Sequence, residues 1–445
     1  MKITRRGFAR LAAALPLAGV ARAAVVSEPD VVIVGAGAAG IGAAQTLIAG
    51  GRSVQLIEAA SRIGGRCFTD TATFGVAFDR GAAWLKGGAA NPLAGFARLH
   101  RFEIGASEAR ELTFARGAQA PLASNDGYER AIVTLSDAIA NAAEQDDDIP
   151  ASQAAPMLLD DEVRSWAATA SAMIGPLDMG VDLNTMSVKD WFGLEEDDGN
   201  RLVRQGLGTL IARIGAGLPV AVNTPARRLV VSGRGVAVET DRGTILTKAV
   251  VLTPSLGVLT SGAITFDPVP DPAMFAAWSG MQMGLLTKIA MFFGAGAPVL
   301  RFAADSMLIP QADDERGHVF HVRPFGAPLA ICLVGGSLAW ELAGQRDRAV
   351  IEFAREKLRA LLGASGDAGL RNAAVTDWGR NPLTKGAYSA ALPGHWRARA
   401  ALEAPLSERI FLAGEAQGGK AAQKVHGAFA SGQRAARRIL KLLRA

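Results

Sequence analysis

Tyrosine occurs only twice in these 445 residues, cysteine twice and histidine five times. The two cysteines, Cys67 and Cys332, lie far apart without a CxxC pair, so neither a disulfide framework nor a zinc site follows, and buried free thiols are expected. No metal site is expected from the histidines either. His318 and His321 stand three apart in a segment patterned as a strand, which turns them to opposite faces. Long apolar runs are missing too: none reaches the roughly 20 residues that a membrane-spanning helix needs. Positive charge is scarcer than the formal +5 suggests, because Lys2, Arg5, Arg6, Arg10 and Arg22 supply the whole excess within 23 residues that hold no acid. The rest of the chain gives no support to a nucleic-acid partner.

What the chain has instead is apolar bulk and glycine, 49% hydrophobic residues and 51 glycines. That length exceeds what one core usually supports, so two domains are expected. Residues 31–66 read VVIVGAGAAGIGAAQTLIAGGRSVQLIEAASRIGGR. A β-branched strand, Val31 to Val34, runs into a GxGxxG turn at Gly35, Gly37 and Gly40, and a helical pattern follows through Ala39 as far as Ile48. Gly35 permits the turn, Gly37 admits a pyrophosphate, and Gly40 lets helix and strand pack closely. The helix N-terminus then faces the phosphates. Glu58 closes a second strand, Val54 to Ile57, at the distance that suits an adenosine ribose. On these residues alone both NAD and FAD remain open.

The first 23 residues, MKITRRGFARLAAALPLAGVARA, combine a basic start, an apolar stretch from Leu11 to Val20 and a small-residue site at Ala21-Arg22-Ala23. This segment resembles a twin-arginine export signal, which implies a partner translocase and a protein that folds around its cofactor before reaching the periplasm or the medium. An ordinary secretory signal or a basic tail is the alternative.

Farther on, helical periodicity dominates from Pro92 to Leu210, broken by acidic runs at 144–148 and 195–198 that read as solvated loops. Strand patterns return at Val220 to Val222, Arg228 to Val231, Val236 to Thr240 and Ala249 to Leu252. One helix covers Arg346 to Leu362. Near the end, a strand before Gly414-Glu415 and a helix from Gly427 to Leu443 close the pattern. The nucleotide unit must therefore be assembled from separated pieces. Residues 24–91, 201–257 and 376–445 form it, and residues 92–200 with 258–375 form an inserted domain.

Five segments resemble the flavin-dependent amine oxidases, the group holding monoamine, polyamine and L-amino-acid oxidases. They are the glycine unit with Gly64-Gly65-Arg66, GAAWLKGGAANPL at 81–93, VVLTPSLGVL at 250–259, DWGRNPLTKGAYSAALPGH at 377–395 and IFLAGEAQGGKAAQKVHGAFASGQRAARRI at 410–439. The resemblance implies an α/β fold: a Rossmann-like FAD-binding domain of the GR2 type with an inserted α+β substrate-binding domain. It selects FAD over NAD, since Gly65 and Arg66 add donors for the same pyrophosphate. Ala82, Ala83, Trp84 and Ala226 are implied cofactor contacts. So are Gly414 with Glu415, matching the acid that takes the ribityl chain, and Lys424 with Val425 at a helix start beside the flavin ring. Lys288 matches a lysine that reaches the reactive flavin nitrogen through a water, while Trp378 and Tyr388 match aromatics flanking the ring. Some members carry a flavin-bonding cysteine where this chain has Ala387, so the FAD is expected to be non-covalent.

Two departures concern the substrate. One wall of the aromatic cage aligns with Lys424, and a position often acidic or histidine in polyamine-type enzymes aligns with Lys86. Two ammonium groups there would repel a polycation and favour an amine or amino acid with an anionic or polar group; both could instead point outward. The expected reaction is oxidation of a neutral amine to an imine, which hydrolyses, with oxygen or a periplasmic carrier taking the electrons. A non-redox flavin isomerase or mutase, a flavin desaturase of hydrophobic substrates and a flavin-stabilised binding protein are the rival readings.

Overall fold

The computed structural model describes residues 28–87, 91–105, 110–119, 121–123, 125–154, 160–194, 199–233 and 235–444. The basic segment 1–23 that resembles an export signal and the acidic run at 195–198 lie outside them. Among the described residues no helix is long and apolar enough to cross a membrane, and no group of His, Cys, Asp or Glu could hold a metal ion.

A five-stranded parallel sheet organises the first half of the architecture. Its order is Ile410–Leu412, Ala249–Leu252, Val31–Val34, Val54–Ile57 and Val220–Ala221. Val31–Val34 sits in the middle and is buried on both faces, which explains its unbroken β-branched run. Val31 and Ile33 pack toward the helices Ala38–Ala49 and Val425–Leu442. Val32 and Val34 pack toward a four-stranded sheet made by Ala226–Ser232, Gly235–Thr240, Gly243–Thr247 and Thr265–Asp267. The first and last helices lie very close. A Cβ added at Gly432 would stand 1.9 Å from the Ala39 carbonyl oxygen, so only glycine allows this approach.

The second half is built on a six-stranded sheet in the order Leu370–Val375, Leu286–Phe293, Leu329–Gly335, His318–Val322, Ser306–Pro310 and Arg110–Phe114. Helices Asp126–Ala143 and Asp161–Ala172 cover one face through Tyr128, Leu135, Ile139 and Trp166, which meet Ala290, Ile309 and Leu333. The other face carries helix Asp347–Leu362, whose Val350, Ala354 and Leu358 recur at helical spacing over Met291, Phe320 and Cys332. Period-two alternation thus divides the strand Leu286–Phe293 between two cores. His318 and His321 do face opposite ways, the first toward Phe353 and the second toward Trp84. Both cysteines are buried free thiols, and burial pushes the Cys67 thiol up to about 12.

Two local expectations need correction. The stretch from Pro92 to Leu210 contains the strand Arg110–Phe114, which pairs in parallel with Ser306–Pro310; alternating polar and apolar residues at a sheet edge override the helical pattern around it. Asp148, read as part of a solvated run, accepts hydrogen bonds from Ser187 Oγ and from the backbone N–H groups of Lys189, Gly394 and Trp396. It pins a loop of the closing segment to the helical region.

Candidate active site

Gly35 has φ +103°, and a Cβ there would meet Thr253 Oγ1 at 2.3 Å, so the turn after Val34 demands glycine twice over. At Gly40 a Cβ would lie 1.9 Å from the Gly35 carbonyl oxygen, the close packing of helix on turn that the motif implies. Gly37 is different: the nearest atom to its added Cβ is 3.9 Å away, leaving its face open to the cavity. Gly37 is also the N-cap of Ala38–Ala49 and supplies no capping side chain, so the first-turn N–H groups are available to an anion. Glu58 Oε2 accepts from Ala36 N–H and Oε1 from Ala60 N–H, both at 2.8 Å. Burial raises its pKa against the pull of these bonds, and they hold the carboxylate rigidly at the cavity wall.

These residues line one end of a single cavity of about 1440 Å³. Gly35, Gly37, Ala39, Glu58, Gly65, Arg66, Ala82, Ala83, Trp84, Lys86, Ala226, Lys288, Trp378, Tyr388, Gly414, Glu415, Lys424 and Val425 all face it. Of the candidate cofactor, catalytic and substrate residues only Gly40 does not, because its role is packing.

Around the middle of the cavity, Arg66 Nη1 donates to the Ala387 carbonyl at 2.7 Å and to Glu415 Oε1 at 3.1 Å. Glu415 Oε2 accepts from Ser389 Oγ at 2.8 Å, and Arg399 Nη1 donates to that same hydroxyl. Arg399 then forms a buried bidentate pair with Asp190, at 2.6 and 2.7 Å. This chain carries the helix Val188–Phe192 into contact with the cofactor acid. Sequence reading missed Ser389, Arg399 and Asp190. Asp190 and Arg399 are 209 positions apart, and no local signal links them.

Lys288, buried on the strand Leu286–Phe293, lines the same cavity. Its Nζ donates to the carbonyl oxygens of Asp79 at 2.9 Å and Gly81 at 2.6 Å, and it lies 5.3 Å from the centre of the Trp84 ring. Burial lowers its pKa to about 8, with the Asp79 carboxylate pulling the other way. Asp79 is a further missed residue, although it lies only two positions before the segment GAAWLKGG. Its carboxylate accepts from Thr69 Oγ1 at 2.5 Å and from the first N–H groups of helix Leu207–Ile214. Trp378 Nε1 donates to the Arg80 carbonyl at 2.9 Å, setting its ring against Gly81. Tyr388 begins the strand Tyr388–Ala391 and is packed beside Gly180; burial raises its phenol pKa.

The two lysines of the cavity wall differ in their surroundings. Lys86 Nζ lies 3.3 Å from Asp178 Oδ1, so its charge is compensated within the same cavity, and the repulsion argued for two ammonium groups fails at this one. Lys424, buried, caps the start of Val425–Leu442 through its backbone, with no side-chain cap there. Two helix N-termini without side-chain caps therefore line one cavity, that of Ala38–Ala49 at the glycine turn and that of Val425–Leu442. A long anionic dinucleotide with a ring that gains negative charge fits that arrangement.

Fold and site together define an FAD-dependent oxidoreductase. The flavin containing amine oxidoreductase family matches residues 181–440, and an NAD(P)-binding Rossmann-like domain matches residues 33–98. The chain belongs to the flavin containing amine oxidoreductases. It is 26% identical over 448 residues to Polyamine oxidase 4 of Oryza sativa subsp. japonica, covering 92% of this chain and 88% of that protein. Polyamine oxidase 2 of Arabidopsis thaliana is 28% identical over 442 residues, covering 92% and 87%. Among solved structures, putrescine oxidase bound to putrescine matches with a TM-score of 0.76 at 18% identity, over 94% of this chain and 99% of that one. Cyclohexylamine oxidase from Brevibacterium oxydans IH-35A matches with 0.76 at 20% identity, over 94% and 100%. Those structural likenesses bear on the fold. Family membership establishes FAD-dependent amine oxidation over the isomerase and binding-protein readings.

Proposed function

We propose that the protein oxidises a neutral amine or amino acid at the carbon bearing nitrogen, giving an imine that hydrolyses to a carbonyl product. Bound FAD, held non-covalently beside Ala387, supplies the two-electron acceptor. Glu58 takes the ribose hydroxyls, the glycine turn and Arg66 take the pyrophosphate, and Glu415 takes the ribityl chain. The observation that carries the reading is Lys288, a buried ammonium fixed by two carbonyl oxygens in the cavity that Trp378 and Tyr388 also line. Three N–H donors belong to that ammonium, and the carbonyls use two, so one can hold a water near the reacting centre. Tyr388 and Trp378 orient the substrate nitrogen. No side chain is needed as base if the amine enters unprotonated, so activity rises with pH through the amine pKa.

Lys424 sets the substrate preference in this reading. Lys424 is buried in the cavity wall, and an anionic or polar substrate group is favoured beside it over a second cationic one. Oxygen or a periplasmic electron carrier serves as final acceptor, and the segment 1–23 directs export of the folded protein to the periplasm or beyond. Anaerobic mixing with a panel of amines, diamines and amino acids, watching the flavin bleach, tests the reaction; a flavin that none of them reduces would sink it. Comparing wild type with Lys424→Met tests the preference. Equal Michaelis constants for an acidic and a cationic substrate in both proteins would refute it.

A further inference from the structure

A second cavity of about 400 Å³ shares Ala83, Trp84 and Lys288 with the first. From Lys288 and Asp79 it extends past His321, Ile331 and Leu333 to the exposed Arg204 and the half-buried loop 324–327. Nothing in the reaction described above uses this space.

His321 is the informative residue of its wall. It is 3% exposed, and its Nε2 has no hydrogen-bond partner among the described residues. Asp305 Oδ1 lies 3.8 Å away, beyond hydrogen-bond reach but within the span of a bridging water. A buried ring nitrogen left without a partner is costly, and native structures satisfy such atoms with protein or ordered water. Room is ample, since a single water needs only on the order of 10–15 Å³ of such space. Lys288 adds a donor at the inner end, because the Asp79 and Gly81 carbonyls occupy two of its three N–H groups. The outer end has a defined shape. Arg323 and Phe325 both hold left-handed backbone, at φ +54° and +50°, and Phe325 N–H donates to Asp305 Oδ1 at 2.8 Å. The Arg204 guanidinium lies 4.7 Å from the centre of the Phe325 ring.

We propose that this cavity is a water channel that reaches Lys288 separately from the substrate cavity, with His321 holding its inner water and Arg204 with Phe325 forming its mouth. Its purpose rests on the amine-oxidising reading. Each imine consumes one water, whose oxygen forms the carbonyl bond while its two hydrogens leave on the departing nitrogen. The channel supplies that water at the lysine without passing the bound substrate.

Crystals of the FAD-loaded protein, with and without xenon under pressure, test the proposal directly. The expected result is ordered water on His321 Nε2 continuing toward Lys288, with no xenon. A dry cavity that takes up xenon would overturn it and indicate a gas route, and Nε2 bonded to a protein group would overturn it too. In solution, Ala327→Trp should narrow the mouth and His321→Leu should remove the water's anchor. Each should lower turnover roughly tenfold while anaerobic flavin reduction keeps its wild-type rate. Unchanged turnover in both variants refutes the channel. Failure of wild-type flavin to reduce with any amine would instead strike the reaction itself, leaving the crystallographic result to decide the water site.

Discussion

Replacing Lys288 with methionine keeps an unbranched apolar stem and deletes one buried ammonium. The lost bonds to the Asp79 and Gly81 carbonyls destabilise the fold, since hydrogen bonds from charged groups contribute about 1.5–3 kcal/mol each. Against that stands the burial of the charge. It brings the amine from 10.5 to about 8, which corresponds to about 3 kcal/mol. The two effects are of similar size near neutrality, so K288M should unfold close to wild type at pH 7. Their dependence on pH separates them. Below about pH 8 the amine is protonated in folded and unfolded chains alike, and the penalty is constant. Between about 8 and 10.5 the unfolded chain holds a proton that the folded chain has released, so wild-type stability rises relative to K288M across that window. The rise should total about 3 kcal/mol and then level off. Urea unfolding of the two FAD-loaded proteins over that range, followed by tryptophan fluorescence, measures the difference, in which all other groups cancel. A difference that stays flat would refute the account of Lys288 as a desolvated ammonium. The same variant should retain FAD yet lose about a hundredfold or more in turnover, the usual cost of removing one preorganised donor from a reacting centre.

Three further outcomes follow from the geometry. Gly40→Ala puts a Cβ against the Gly35 carbonyl oxygen and should cost more than about 4 kcal/mol, seen as FAD-free or insoluble protein; a stable yellow variant would contradict it. Glu58→Gln replaces one acceptor facing Ala36 or Ala60 N–H with a donor, and should weaken FAD binding by about tenfold to a hundredfold in titrations of apoprotein. Asp190→Asn leaves Arg399 buried without its charge partner and should cost about 3–5 kcal/mol. Adding Arg399→Met should recover much of that in thermal unfolding, and a double variant no better than the single one would count against the pairing.

How much of this was legible in the chain depended on how local the signal was. The glycine turn, Glu58 and their strands are set by neighbours in sequence, so backbone pattern and residue type suffice. Glu415, Lys288 and Tyr388 came within reach only through motifs resembling a family, because a lone lysine on a strand carries no mark of burial. Ser389, Arg399 and Asp190, the outer members of the chain that starts at Arg66 and Glu415, left no trace. Arg399 meets Asp190 across 209 positions, and each of the three alone looks like an ordinary surface residue. Asp178 was hidden for the same reason, and its absence from the reading made Lys86 look uncompensated. Strand Arg110–Phe114 was masked by helical stretches on both sides, and its partner lies almost 200 residues away.

The close contact of the first and last helices bears on when the protein can acquire its cofactor. Ile410–Leu412 completes one edge of the parallel sheet, and Val425–Leu442 brings the second helix N-terminus to the cavity. Both leave the ribosome after the other four strands of that sheet. Until then the glycine turn is made but the flavin end is not, the strand Ala249–Leu252 is an open edge, and Gly42 and Ala39 lack the helix that covers them. Loading with FAD thus waits for residues 410–442, and a message truncated before residue 410 yields a chain that can neither close the seat nor hide its sheet edge.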